Sequence, residues 1–166
     1  MPGAGPGDGL FALADRVAVT ELCDRYLLDL DEGRFTEERA RRVFVPDVVL
    51  RFPPGTHRGI HGLDAFFDTF MGPWLHTHHH VSNYLVDLHG DRAELVCSLL
   101  AVHTHPGSPP PPAPGDHFYL GGRFTGSAVR TPVGWRLSQL ALQVCWTVGR
   151  GVPAIAATMA TRAGGR

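Results

Sequence analysis

Leu13, Val17, Leu22, Tyr26 and Leu30 recur near helical spacing through residues 10–32, with Arg16, Glu21 and Arg25 between them. That spacing predicts an amphipathic helix burying those five side chains and stopped near Gly33. Thr36 followed by Glu37, Glu38 and Arg39 reads as a capped second helix with acids in its first turn, anchored at its end by Phe44. Pro46-Asp47 is expected to turn the chain into a strand over residues 48–52, closed by Pro53-Pro54-Gly55. Phe66, Phe67 and Phe70 carry a third short helix over residues 63–70, ended by Gly72-Pro73. Beyond it the pattern favours strands: residues 77–88, 92–104, 118–130 and 135–148. His89-Gly90-Asp91 and Thr131-Pro132-Val133-Gly134 are the hairpin connections. Helices first and a meander afterwards imply an α+β domain whose helices cover one face of a curved antiparallel sheet.

Two segments carry no such pattern. Residues 106–115 form a Pro-rich insertion too poor in apolar residues to pack, and residues 150–166 read as a flexible tail or a lid. Residues 1–9, rich in Gly and Pro, are expected to be a flexible N-terminus, which leaves residues 10–149 as the domain.

The chain has 166 residues, 43% hydrophobic and 19% charged, with a formal net charge of −1. This fits one domain with a sizeable core. It lacks the basic surplus that a nucleic-acid partner would need. Every basic residue is Arg, so no lysine amine is available for Schiff-base chemistry. No apolar run reaches the roughly 18 residues of a membrane span, and the first residues show no signal pattern; a cytoplasmic location is the expectation. Cys23, Cys97 and Cys145 sit singly in apolar stretches without CxxC spacing, and read as reduced, buried thiols.

Several segments together resemble the SnoaL-like branch of the nuclear transport factor two-like superfamily, which includes scytalone dehydratase and ketosteroid isomerase. They are LCDRYLLDLDEGRF, FVPDVVLRF, GIHGLDAFFDTF, HHHVSN, GDRAELVCSLLAVH and GGRFTGSAVRTPVGWRL. The resemblance runs from about Leu13 to Gly149. It implies a cone: a curved antiparallel (mixed) sheet with N-terminal helices enclosing one apolar pocket, commonly assembled as a homodimer. Fold alone does not fix the reaction.

Strand alternation puts His79, Val81 and Asn83 on one face and His78 and His80 on the other. The resemblance makes His79 the pocket histidine, Asp31 the acid that orients it, and His103 a second pocket histidine. Tyr26 matches a helix-one tyrosine that polarises a substrate carbonyl, and Asn83 could donate to the same oxygen. An imidazole held by a carboxylate has a fixed tautomer and a raised basicity, suited to general acid–base work. Phe52, Phe66, Phe70, Trp74, Arg123 and Trp146, with Asn83, are the expected substrate contacts, and Phe67 would help to shape the pocket. The bland readings are a strand histidine with no chemistry, a solvated Asp31 and a core Tyr26.

The departures narrow the chemistry. Phe52 stands where ketosteroid isomerase carries its aspartate base and where scytalone dehydratase carries a tyrosine. Arg123 is followed by Phe124 and Thr125, so the acid–arginine–acid set of limonene-epoxide hydrolases has no counterpart. His76, His78 and His80 would share a strand face, but no carboxylate or further ligand stands at a convincing spacing and that face is not the one expected to line the pocket, so no metal is expected. Ser82, Ser98 and Ser127 lie in strands without a nucleophile elbow, and Gly121-Gly122 marks a bulge rather than a phosphate loop. The expectation is a cofactor-independent lyase, isomerase or cyclase for a small hydrophobic oxygenated ring compound of polyketide-like or other specialised metabolism. The alternative is a non-catalytic small-molecule-binding or dimerisation module of the same fold.

Overall fold

The computed structural model describes residues 6–53 and 55–151. Helix α1 (Pro6–Asp31) is followed by α2 (Glu37–Val43), strands β1 (Phe44–Phe52) and β2 (Gly55–Arg58), helix α3 (Leu63–Met71), and strands β3 (His76–His89), β4 (Arg92–Thr104), β5 (His117–Thr131) and β6 (Gly134–Val148). The six strands form one curved, unclosed sheet in the order β2-β1-β6-β5-β4-β3. Only β1 and β6 run parallel; the other neighbours are antiparallel. This is the expected α+β cone, with the helices on its inner side. Among the described residues no helix is long and apolar enough to cross a membrane.

Thr36 caps α2 as its sequence predicts, its hydroxyl accepting from the Arg39 backbone N–H. The core gathers Val19, Leu22, Cys23, Tyr26, Leu27 and Leu30 from α1 against Leu50, Leu95, Leu137 and Leu140 of the sheet. The meander strands begin and end within a residue of their predicted limits, because Gly and Pro punctuate the chain there.

Four expectations need correction. Helix α1 starts at Pro6, inside the stretch expected to be flexible, and residues 1–5 lie outside the described region. Leu13 and Val17 are 58% and 50% exposed, so α1 buries its apolar side chains only from Val19 onward. Strand β1 begins at Phe44, so Pro46-Asp47 is not a turn: the pairing with β6 shifts register between Phe44 and Val49, and that irregularity accommodates the proline. Cys145 is exposed, at the register shift between β5 and β6, whereas Cys23 and Cys97 are buried. Strand β2 pairs back on β1 after Pro53 and was not expected from the sequence. Residues 106–115 carry no regular structure until a 3-10 turn at Pro114–Asp116, and the tail at residues 152–166 lies outside the described region.

Candidate active site

The last residue of α1, Asp31, reaches the inner face of β3 and is held there by three donors. Its Oδ1 lies 2.6 Å from His79 Nδ1 and 2.8 Å from the Thr77 hydroxyl, and its Oδ2 accepts from the His79 backbone N–H at 2.8 Å. The two side chains are 14% and 7% exposed. Burial alone would raise the Asp31 pKa, but the bonds from His79 and Thr77 outweigh it and hold the group below its ordinary 3.8. A carboxylate only accepts, so Nδ1 of His79 carries the proton and Nε2 is left to meet a ligand.

His79 lines an apolar cavity of about 50 Å³ together with Tyr26, Phe52, Phe70, His103 and Phe124. His103 projects inward from β4, its ring 5.3 Å from that of His79 and edge-on to it. It is only 4% exposed, and its Nδ1 has no hydrogen-bond partner among the described residues. Burial first and the His79 charge second lower its pKa to about 3, with Asp31 opposing, so it is neutral at pH 7. Tyr26 stands in a cluster of rings, stacked on Phe52 and edge-on to Phe35 and Phe44. Burial pushes its phenol well above 10, so it remains a donor.

A second, larger cleft of about 260 Å³ lies beside this cavity, between the end of α1, α3 and the start of β3. Trp74 lines it, stacked on Phe118 and 4.9 Å from the His103 ring, with its Nε1–H donated to the Phe70 carbonyl. Trp74 therefore shapes the outer cleft, not the inner cavity. Phe66 packs behind Phe52 and over His57 rather than lining the cavity.

Three expected contacts lie elsewhere. Asn83 is exposed, because the β3–β4 pairing slips between Ser82 and Leu85 and Asn83 takes a left-handed φ of 56°. This bulge ends the alternation that put it beside His79. Arg123 is exposed next to inward-facing Phe124. Trp146 is 48% exposed and covers Gly121 on the outer face. His76, His78 and His80 are exposed on that outer side, and no group of three metal-ligating side chains exists among the described residues. Thr77 was not singled out from the sequence, although its place two residues before His79 sets it on the same face.

A family model for the SnoaL-like domain matches residues 12–141. The chain belongs to the SnoaL-like domain family. Among solved structures, the Kfla4162 protein from Kribbella flavida superposes with a TM-score of 0.72 at 27% identity, over 82% of this chain and 95% of that one. A scytalone dehydratase-like protein from Novosphingobium aromaticivorans gives 0.71 at 21% identity, over 85% and 91%. A hexachlorocyclohexane dehydrochlorinase of LinA type 3 from Novosphingobium barchaimii gives 0.71 at 18%, over 84% and 92%. At the last two identities the likeness to this SnoaL-like chain is one of fold. Among curated proteins none matches its sequence.

Proposed function

We propose that this SnoaL-like protein is a cofactor-independent lyase, isomerase or cyclase that moves a proton on a small, uncharged, hydrophobic ring compound bearing oxygen, in the cytoplasm and as a homodimer. The observation that carries this reading is the 2.6 Å bond between Asp31 and His79 at the wall of an apolar cavity. His79 Nε2 takes the proton from a carbon beside a carbonyl or leaving group, and Asp31 stabilises the imidazolium that forms. Tyr26, a donor at neutral pH, and the neutral His103 face the developing oxyanion. No Arg, Lys or carboxylate lines the inner cavity, which disfavours a charged ligand. The dehydratase-like and dehydrochlorinase relatives carry out eliminations by name, in keeping with a base-initiated reaction here.

One observation favours the alternative of a binding module: the cavity beside His79 measures about 50 Å³ and is crowded by Phe52, Phe70 and Tyr26. Turnover decides between the two. A panel of uncharged hydroxylated, keto and halogenated ring compounds is incubated with wild type, His79→Ala and Asp31→Asn and followed by mass spectrometry. Loss of general-base catalysis predicts a drop on the order of 10²-fold or more in both variants. Equal turnover in all three proteins, or none in the wild type across the panel, overturns the enzymatic reading.

A further inference from the structure

The inner cavity poses a problem of size. About 50 Å³ admits a water molecule or two, whereas small-molecule sites start at about 300 Å³. The outer cleft next to it is five times as large, at about 260 Å³, and is lined by Phe35, Phe67, Trp74 and Leu75 together with Asp64 and Asp68 of α3. Leu30 and Met71 line both compartments and so form the partition between them. The Asp31–His79 pair bridges that partition: the carboxylate lines the outer compartment and the imidazole the inner one.

The two partition side chains differ in their freedom. Leu30 is 8% exposed, and the next residue, Asp31, is tied down by three hydrogen bonds. Met71 is the half-buried last residue of α3, followed by Gly72 and Pro73. It is unbranched, with three rotatable side-chain bonds, and can swing without breaking any polar contact. Trp74 beyond it is fixed by its bond to Phe70 and its stacking on Phe118.

We infer that the ligand chamber is the inner cavity and the outer cleft joined, and that Met71 is the side chain that divides them and limits the size of the ligand. Displacing Met71 merges the two volumes to the lower end of the range for small-molecule sites. The merged chamber runs from Trp74, past the Asp31–His79 pair, to Tyr26 and Phe52. It fits a flat ligand of about two fused rings, with His79 near its middle. This inference rests on the reading of His79 as the reacting base, and it adds which volume the ligand occupies and which residue sets its size.

The test uses 2-naphthol, an uncharged two-ring hydroxy compound, as a binding probe for the full chain by calorimetry. Met71→Ala removes the partition and should tighten binding about tenfold, the scale of an overpacking penalty relieved. Met71→Trp should abolish binding, and Met71→Leu should leave it within about twofold. If Met71→Trp does not give a wild-type melting transition, Met71→Phe replaces it with the same expected direction. Methyl NMR supplies the second readout: one bound naphthol should shift both Leu99 of the inner cavity and Leu75 of the outer cleft. Equal affinity across the Met71 series, no binding to Met71→Ala, or shifts confined to one of the two leucines overturns the joined chamber. Asp31→Asn keeps the chamber volume and should retain naphthol binding. Failure of the catalytic reading therefore shows as turnover unchanged in His79→Ala and Asp31→Asn, or absent from wild type, while naphthol binding keeps its Met71 dependence; failure of the chamber shows as lost Met71 dependence.

Discussion

His103 carries a measurable signature of its burial. Its pKa of about 3 lies below the 6.5 of an unfolded histidine, so between these values the unfolded chain binds the extra proton. Its contribution to stability is therefore complete above pH 6.5 and is lost as pH falls toward 3. Urea unfolding followed across that interval should show a shallower pH dependence in His103→Gln than in wild type, and the His103 ring protons should not titrate by NMR above pH 5. Asp31 acts lower on the scale. Its folded pKa is held below 3.8, so its contribution is present above 3.8 and fades as pH falls through the folded value. Asp31→Asn should flatten the acid limb of urea unfolding below pH 4. Both residues could be named from the sequence through the family resemblance. That both pKa values are lowered, one by burial and the other by hydrogen bonds that outweigh burial, was not legible there, because both effects are set by what packs around a group.

At the level of elements, two irregularities in the strands decide what faces the site. The left-handed Asn83 lets β3 turn its later residues so that Val86 packs inward and Asn83 points out. A β-branched residue there should cost about 1–2 kcal/mol, while glycine should be tolerated; urea unfolding of Asn83→Val and Asn83→Gly checks this. The second is the Gly121-Gly122 register shift between β5 and β6. A Cβ on Gly121 would overlap the Trp146 indole, which would have to swing off the strand to make room. Gly121→Ala should cost about 1–3 kcal/mol and be largely rescued by Trp146→Ala, a coupling that a double-mutant cycle reads directly. The glycine pair was read from the sequence as a bulge. The slip at Asn83 was not, because period-two alternation has no means of announcing the extra residue that breaks it.

For the molecule as a whole, the sheet encloses one core, and α1 is fixed to it at both ends of its packed portion. Asp31 holds β3 at one end. At the other, Asp15 accepts from the Trp135 indole at 2.9 Å and from Arg130, whose guanidinium lies over the Trp135 ring. A helix pinned at two points to a single core should not melt separately. Tryptophan fluorescence and far-UV circular dichroism should therefore report coincident unfolding transitions. Leu137, fully buried in β6, should cost about 2–5 kcal/mol on truncation to Ala. Separate transitions for helix and sheet would show that the pins do not couple them.

The three helices, the four meander strands with their limits, the α+β class and the Asp31–His79 pairing were legible in the sequence; strand β2 and the early start of β1 were not. The legible features depend on periodicity, on Gly and Pro punctuation and on motif resemblance, which are properties of the chain itself. The tertiary structure decided the rest. It placed Asn83, Arg123 and Trp146 outside the cavity and Leu13 and Val17 in solvent. It added Thr77 to the Asp31 site and divided the interior into two compartments at Leu30 and Met71. Each of these depends on sheet curvature, register slips and which face another element happens to cover. Those are relations between distant parts of the chain, and local pattern does not encode them.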